Sequence, residues 1–241
     1  MERERAYINV LIAKHVDGII FIAAGAYREH ITELTEQSVP IILADRDVGP
    51  STVDLVLVNN EQGGYDATRH LLDLGHRHIG CIAGPSEATL SADRVKGYQR
   101  ALRDADVEWQ EALIEPVDFR YQGGEKAARR LLDLERRPSA ISACNDLMAI
   151  GAMRAIRAAG LRIPEDVSLV GYDDILLASA VSPALTTVAQ PVEKLATIST
   201  ELLLSRIEEG PNCAPKRIVL DTELIIRDSC GPAEPPGGSR G

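Results

Sequence analysis

Residues 140–171, AISACNDLMAIGAMRAIRAAGLRIPEDVSLVG, contain the pattern that decides the fold. The apolar run 140–144 predicts a strand, residues 147–159 predict a helix that ends at Gly160, and residues 167–171 predict a second strand. Neither run shows the polar alternation of a strand with one face in water, so both faces are predicted to be covered, as in a parallel sheet. This stretch therefore predicts a β-α-β unit.

The same alternation of short apolar runs and helical stripes extends in both directions along the chain. Further strands are predicted over 19–23, 40–44, 53–58, 78–83, 113–117 and 185–189, with 218–226 as terminal strand material. Further helices are predicted over 2–15, 27–37, 60–74, 91–104, 121–134 and 191–209. Asn60 and Gly75 suit the amino-terminal and carboxyl-terminal caps of one of these helices. Six or more such units are too many for one sheet and predict an α/β fold of two doubly wound parallel-sheet lobes.

The composition limits the partners and the compartment. The 241 residues carry 26 Lys and Arg against 36 Asp and Glu, a net charge of −10, so a separate basic module would be needed to bind DNA. The four cysteines show no CxxC spacing, which argues against zinc and disulfides and fits a reducing cytosol. The chain begins with a polar helix instead of a signal peptide, and no apolar stretch approaches the roughly 20 residues of a membrane span. We expect a cytoplasmic protein.

The usual catalytic and cofactor motifs are absent. The sequence contains no GxSxG, GxxxxGK[ST] or HExxH motif, and no nucleophile is placed against a base, so we expect neither an enzyme nor a cofactor. The pairs 63–64 and 123–124 are both Gly-Gly without the GxGxxG spacing, which indicates close packing at helix starts. His76 and His78 have no third ligand nearby in sequence, so we predict a hydrogen-bonded turn there and no metal site.

Polar and aromatic side chains follow several predicted strands at their carboxyl ends, where open α/β sheets bind ligands. They are Asp45, Arg94, Phe119, Asn145, Asp146, Asp173 and Asp174. Carboxylates accept from hydroxyl groups, a guanidinium donates to them, an amide does both and a ring stacks on C–H faces, so this set suits a sugar or polyol. The alternative is that these residues cap the following helices. We favour caps for Asp146 and Asp174, and both interpretations stay open for Asn145 and Asp173.

Several motifs, in their order and spacing, resemble the LacI/GalR (lactose-repressor) family of bacterial transcription regulators. They are GHRHIG at 75–80, AGP at 83–85, RVKGY at 94–98, NDLMAIGA at 145–152, GLRIPEDVSLVGYDD at 160–174, PALTTV at 183–188 and QP at 190–191. The resemblance covers residues 1 to about 228 and implies a periplasmic-binding-protein-like (type I) domain of two lobes joined by crossing strands. It implies a first lobe of 1–58 plus 191–217 and a second lobe of 59–190 plus 218–228. The Pro, Gly and Ser content of 229–241 predicts a disordered tail.

The resemblance also implies a set of residues that bind a small-molecule effector. The implied residues are Asp45, Arg94, Phe119, Asn145, Asp173 and Gln190. In sugar-responsive members the matching Arg, Asn and Asp bind hydroxyl groups and the matching aromatic residue stacks on the ring, while Asp45 and Gln190 face the cleft from the first lobe or its hinge. Purine-responsive members use Arg and Thr where this sequence has Ala88 and Leu90, which disfavours a purine.

Members of the family begin with a helix-turn-helix, a hinge helix and a strand-helix-strand unit, all of which precede the point where this sequence starts in the family pattern. The resemblance therefore implies that DNA is contacted only through a helix-turn-helix absent from this chain. It also implies a truncated first lobe in which residues 19–23 form a bare apolar edge. We predict the effector-sensing portion of a homodimeric regulator that pairs through an apolar face near 148–156 and 175–181. The alternative is a stand-alone sugar-binding protein of a transport system, which the absence of a signal peptide disfavours.

Overall fold

The computed structural model describes residues 6–7, 10–11, 13–22, 39–45, 47, 53–85, 88–210 and 214–233. The contacts divide the chain into two compact units, the first of Met1–Asn59 and Pro191–Leu220, the second of Asn60–Gln190 and Asp221–Gly241. The helix predicted over 27–37 lies outside the described residues. Of the helices in the described ranges, none has both the length and the apolar character required to cross a membrane.

Strands and helices alternate along most of the chain, which confirms the predicted α/β class. In chain order they are β1 (Ile19–Phe21), β2 (Ile41–Ala44), β3 (Asp54–Val58), α1 (Asn60–Asp73), β4 (Ile79–Ala83), α2 (Thr89–Asp104), one turn of 3-10 helix (Glu111–Leu113), β5 (Ile114–Pro116), α3 (Tyr121–Leu132), β6 (Ala140–Ala143), α4 (Asp146–Ala158), β7 (Ser168–Asp173), α5 (Leu176–Ala180), β8 (Thr186–Ala189), α6 (Val192–Glu209), β9 (Arg217–Leu220) and β10 (Glu223–Ile225). The strand predicted over 113–117 is shorter because the 3-10 turn occupies its first residue.

The first unit has a four-stranded sheet in the order β1-β2-β3-β9, and all of its described pairs are parallel. Both faces of β2 and β3 are buried, with Ile42 and Val56 on the side that packs against α6. β1 lies at the edge of the described part of this sheet, and Ile22 just beyond it is 70% exposed. The expected truncation of this lobe stays a prediction.

A buried ion pair joins α6 to the first sheet. Arg206 donates from Nε and Nη2 to the two carboxylate oxygens of Asp54, at 2.8 Å each. Asp54 Oδ1 also accepts from the Lys216 N–H at 2.7 Å, and Arg206 Nη2 also donates to the Ala214 carbonyl. The side chains of Arg206 and Asp54 are only 8% and 7% exposed. This network ties the end of α6 to the first residue of β3 and to the segment before β9.

The second unit has a six-stranded sheet in the order β10-β8-β7-β6-β4-β5, parallel except for β10. The chain runs from β4 outward to β5 and then returns to β6 on the other side of β4, so the strand order reverses between β4 and β6. Doubly wound sheets bind ligands at the carboxyl ends of the strands beside such a reversal.

The terminal strand material predicted over 218–226 is two strands in different sheets. β9 pairs with β3 in the first unit, and β10 pairs with β8 in the second. The polar pair Asp221-Thr222 interrupts the apolar run between them. Residues 218–220, which we assigned to the second lobe, therefore belong to the first.

The two Gly-Gly pairs are close-packing sites, as predicted. A Cβ atom on Gly64 would lie 2.2 Å from the Arg94 carbonyl oxygen, and one on Gly124 would lie 2.1 Å from the Met148 carbonyl oxygen. These contacts are the crossings of α1 with α2 and of α3 with α4. Because backbone lies against backbone at both crossings, neither leaves room for a side chain.

Residues 229–233 are ordered against the second unit, so the disordered tail predicted over 229–241 is wrong for these five residues. Ser229 is fully buried, donates to the Leu169 carbonyl at 2.6 Å and accepts from the Thr186 N–H at 2.8 Å. The order of this segment could not be predicted from its composition, because hydrogen bonds hold it in place and it buries few apolar side chains. The rest of the predicted tail lies outside the described residues.

His76 helps to hold this terminal segment. Its Nε2 donates to the Gly231 carbonyl at 3.0 Å, and its Nδ1 lies 2.9 Å from the Ser139 hydroxyl. Burial lowers the pKa of His76. The predicted hydrogen-bonded role of this histidine is confirmed.

Candidate functional site

Five of the six predicted effector-binding residues lie in the second unit, at the carboxyl ends of its parallel strands or on the helix that follows β4. They are Arg94, Phe119, Asn145, Asp173 and Gln190. The sixth, Asp45, belongs to the first unit, where it directly follows β2 with φ 52° and donates its N–H to the Val56 carbonyl at 2.8 Å. Asp45 therefore also lies at the carboxyl end of a strand.

Arg94 is the most constrained residue of the site. Its side chain is 3% exposed, and the guanidinium stacks on the Tyr172 ring with 3.6 Å between Cζ and the ring centroid. Nε donates to the Asn60 side-chain oxygen at 2.9 Å, and Nη1 donates to the Cys144 carbonyl. A buried guanidinium with several fixed partners is a preorganised donor, because little side-chain freedom remains to be lost on binding.

Asp173 pairs with Arg94 and Gln190. Its Oδ1 lies 3.4 Å from Arg94 Nη1 and accepts a hydrogen bond from Gln190 Nε2 at 2.7 Å. Burial raises the pKa of Asp173 above its ordinary value, while the nearby Arg94 charge opposes that shift. The side chain is still 28% exposed, so the carboxylate reaches solvent at the sheet edge.

The backbone of the turn after β7 is strained. Asp173 has φ 110° and Asp174 has φ 54°, in the region that residues with side chains rarely adopt. Such a conformation costs about 1–3 kcal/mol per residue and persists only when neighbouring groups hold it. Strain of this kind clusters at ligand-binding sites.

The helix caps that we favoured for Asp146 and Asp174 are wrong. Asn145, and not Asp146, is the N-cap of α4, and the cap of α5 is Ile175 without a side-chain hydrogen bond. Asp146 is fully buried and binds groups outside its own helix, and burial raises its pKa to about 6. Asp174 pairs with Arg227 at 2.7 Å. Both carboxylates therefore make long-range contacts, which spacing along the sequence does not reveal.

Asn145 has a structural role in addition to its place at the site. Its side-chain oxygen accepts from the Met148 N–H at 2.8 Å, and its side-chain nitrogen donates to the Phe119 carbonyl at 3.1 Å. The Phe119 ring lies over Gly84, where a Cβ atom would come within 2.1 Å of the ring. The amide therefore holds the loop that carries the predicted stacking ring.

Sequence reasoning missed three partners of Arg94. Tyr172 lies under the guanidinium, Asn60 accepts from it although we predicted only a helix cap, and the third partner is the carbonyl of Cys144. Asn60 and Cys144 are far from Arg94 in sequence, so only the folded sheet brings them together. Tyr172 does precede Asp173 directly, and its position beside a predicted site residue was the available signal.

The arrangement can bind hydroxyl groups and has no metal-ligating character. It offers a fixed guanidinium, a partly exposed carboxylate, two carboxamides and an aromatic ring. Within the ranges that the structure describes, no group of three or more His, Cys, Asp and Glu side chains could hold a metal ion. A site of this kind recognises a neutral polar molecule by hydrogen bonding and stacking.

The comparisons with known proteins agree with this architecture. Residues 68–230 match the family model of the periplasmic binding protein-like domain. The chain is 36% identical over 234 residues to the HTH-type transcriptional regulator DegA of Bacillus subtilis (strain 168), covering 96% of this chain and 69% of DegA. It is similar to the solved transcriptional regulator CelR–cellobiose complex, with 37% identity, a TM-score of 0.88 and coverage of 93% of this chain and 69% of that one.

A second solved structure is a LacI family transcriptional regulator from Enterococcus faecium with bound ribose. It is 32% identical, with a TM-score of 0.88 and coverage of 95% of this chain and 85% of that chain. The fold and these relatives define the chain as a periplasmic-binding-protein-like effector-binding domain. The chain belongs to the LacI family of transcriptional regulators, and it is therefore assigned as a regulator and not as an enzyme.

Proposed function

We propose that the second unit binds a sugar or sugar derivative as the effector of a transcriptional regulator, through Arg94, Phe119, Asn145, Asp173 and Gln190; the role expected for Asp45, in the first unit, stays a prediction. The observation that carries the proposal is the Arg94–Asp173 pair at the sheet edge. Among the described residues, every hydrogen bond to the Asp173 carboxylate ends on Oδ1, and none of those donated by Arg94 uses Nη2. Asp173 Oδ2 and Arg94 Nη2 are thus the acceptor and donor for a diol.

The solved relatives support a sugar over a purine. One is described with cellobiose and another with ribose. In this chain Ala88 and Leu90, which precede Arg94, have side chains that cannot hydrogen-bond to a purine. We place the regulator in the cytoplasm, because its relatives are transcriptional regulators. We assign DNA contact to a helix-turn-helix of the family type, because the 241 residues carry a net charge of −10 and do not themselves suit a DNA-binding surface.

Asp173→Asn should weaken sugar binding by about ten- to a hundredfold, because hydrogen bonds to charged groups contribute about 1.5–3 kcal/mol. Isothermal titration calorimetry with ribose, cellobiose, glucose and guanine measures this. We expect at least one sugar to bind the wild-type protein and guanine not to bind. Asp166→Asn is the control, because Asp166 pairs with Arg162 away from these strand ends. If Asp173→Asn binds the sugar as tightly as the wild type, the assignment of Asp173 is wrong. If the wild-type protein binds guanine and none of the sugars, the effector is a purine and the proposed sugar is wrong.

We also propose that the protein is a homodimer that pairs through the second unit. Leu176 is 86% exposed, Leu177 is exposed next to it in the sequence of α5, and Leu147 is exposed on α4. A groove of about 450 Å³ is lined by α4, the first residue of α3 and the residue after α5: Tyr121, Ile150, Met153, Arg154, Arg157, Ala158 and Val181. Exposed large apolar side chains favour an interface, and regulators that read paired half-sites are two-fold dimers.

The predicted face over 148–156 needs correction. Met148, Met153 and Ile156 are buried because α4 packs against β6, β7 and α3. Of the apolar residues on this helix, Leu147, Ile150 and Ala158 are left for the proposed interface. The α5 part of the predicted face, 175–181, keeps its exposed leucines.

Leu176→Glu should convert the dimer into a monomer, because a charge would be buried in an apolar contact. Light scattering during size-exclusion chromatography at tens of micromolar is expected to give twice the 26.1 kDa chain mass for the wild type and the chain mass for the variant. Leu204→Glu on α6 of the first unit, where Leu204 is also exposed, should leave the dimer intact. A wild-type protein that is monomeric at this concentration refutes the proposal.

A further inference from the structure

The strained turn after β7 is held by a carboxylate that belongs to another element. We infer that Asp146 is a positioning residue for the proposed effector site, because its hydrogen bonds fix the turn 173–175 so that the Asp173 carboxylate faces Arg94 and Gln190. The inference rests on the proposed role of Asp173 in effector binding. It assigns Asp146 no contact with the effector itself.

The first observation is the set of contacts that Asp146 makes. Asp146 is the first residue of α4 and is fully buried. Its Oδ2 accepts from the Ile175 N–H at 2.9 Å, and its Oδ1 accepts from the Thr187 hydroxyl at 2.6 Å. One carboxylate therefore joins the start of α4, the turn after β7 and the middle of β8. With each oxygen bound to a different element, the carboxylate has a single position.

The second observation is that the turn needs such a tie. Asp173 and Asp174 both have positive φ, and without support they would relax toward ordinary backbone conformations. That relaxation would rotate the Asp173 side chain away from its partners. Asp146 holds the turn at Ile175, and the ion pair of Arg227 with Asp174 holds it one residue earlier. The strained pair is thus fixed from two sides.

The third observation is that β7 has a glycine, with no side chain, next to the Asp146 carboxylate. Gly171 faces Asp146, and a Cβ atom at this position would lie 2.2 Å from Asp146 Oδ1 and 2.9 Å from Leu185 Cδ2. Any side chain here would displace the carboxylate from its bonds to Ile175 and Thr187. Glycine at position 171 therefore leaves room for the Asp146 carboxylate to reach Ile175 and Thr187. This is independent of the hydrogen bonds, since it concerns the packing of the neighbouring strand.

Two variants of the 241-residue protein test whether Asp146 acts through its hydrogen bonds or only by filling space in the core. Asp146→Ala removes both acceptors. Asp146→Asn keeps the shape, and its side-chain oxygen can accept from Ile175 while its nitrogen donates to the Thr187 hydroxyl oxygen. Amide hydrogen exchange of Ile175 reports the turn, and carbon-13 NMR titration of the Asp173 carboxyl reports its surroundings. Neither measurement requires an effector, so a wild-type protein that binds no sugar would refute the proposed function without affecting this test.

For Asp146→Ala we expect exchange of the Ile175 amide to rise at least about tenfold, because a buried charge-assisted hydrogen bond is lost. We also expect the pKa of Asp173 to fall toward its ordinary value as the carboxyl group leaves its buried position. Asp146→Asn should restore slow exchange at Ile175 and should lower the pKa of Asp173 less than Asp146→Ala does, since both variants lose the Asp146 charge and only alanine also loses the hydrogen bonds. Ser229→Ala is the matched control, because Ser229 is equally buried and also bonds to β7 and β8, away from the turn.

The inference is overturned if Asp146→Ala leaves both readouts unchanged, if Asp146→Asn changes both as much as Asp146→Ala does, or if Ser229→Ala changes them equally. Circular dichroism shows whether each variant folds. Should Asp146→Ala not fold, Gly171→Ala takes its place, since the added methyl group displaces the same carboxylate from the neighbouring strand. Faster exchange at Ile175 in that variant supports the inference, and wild-type exchange contradicts it.

Discussion

Asp54→Ala should destabilise the first unit by about 3–5 kcal/mol, because the buried Arg206 guanidinium loses its buried carboxylate partner and keeps Glu209, which is half-exposed and 3.5 Å away. In the folded protein that guanidinium makes two hydrogen bonds to the Asp54 carboxylate, and the carboxylate also accepts from the Lys216 N–H. Alanine cannot replace any of these acceptors. The penalty for removing the buried partner of a charge exceeds the net contribution that the pair itself makes to stability.

Hydrogen exchange resolves this effect by unit. Amides of β2 and β3 should lose protection in Asp54→Ala, while those of β6 and β7 in the second unit keep theirs. Asp47→Ala is the control from the same unit, since Asp47 pairs with Arg217 at the surface, where ion pairs contribute no more than about 1 kcal/mol. Equal exchange in the two variants would show that the buried Asp54–Arg206 pair contributes no more to the stability of the first unit than the surface Asp47–Arg217 pair.

Gly64→Ala should both destabilise the second unit and weaken effector binding. The new Cβ atom would lie 2.2 Å from the Arg94 carbonyl oxygen and 2.8 Å from its Cα atom, so α1 and α2 must move apart. Overpacking of this kind costs about 1–3 kcal/mol or more. Because the displaced atoms are the backbone of Arg94, its bonds to Asn60 and Asp173 are disturbed as well. We expect affinity for the sugar that binds the wild type to fall at least about tenfold.

Gly75→Ala separates loss of stability from displacement of Arg94. Gly75 lies two residues beyond the end of α1 and has φ 91°, so alanine there is strained by about 1–2 kcal/mol. Among the described residues, its Cβ atom would have one neighbour within 4 Å, Ala233 at 3.6 Å, so no described residue of the site is displaced. Thermal unfolding should show similar losses for both glycine variants, and calorimetry should show weaker binding only for Gly64→Ala. Equal affinities would contradict the placement of Arg94 by this helix crossing.

The parts of the fold that could be predicted are those written in local patterns. The apolar runs without polar alternation predicted parallel strands covered on both faces, and β2, β3 and β4 are buried throughout. Gly-Gly at a helix start predicted close packing because only glycine lets two helix backbones touch. The carboxyl-end rule for parallel sheets also selected Arg94 and Asp173, which the fold brings within 3.4 Å.

The parts that could not be predicted depend on contacts between residues distant in sequence. Nothing near Asp146 in the sequence distinguishes a buried tie to Thr187 from a helix cap. The run 218–226 has the hydropathy of one interrupted strand, and only its two partners show that it enters two sheets. Residues 229–233 have too little apolar content to signal order, since backbone and hydroxyl hydrogen bonds hold them.

The division of the first sheet along the chain has a consequence during synthesis on the ribosome. β3 at Asp54–Val58 pairs with β9 at Arg217–Leu220, so the whole of Asn60–Gln190 is translated between two neighbouring strands. Pairings this distant in sequence form slowly, because a long loop must close first. A nascent chain that has emerged only as far as residue 190 therefore carries β2 and β3 without α6 or β9, with apolar strand faces that a chaperone could bind.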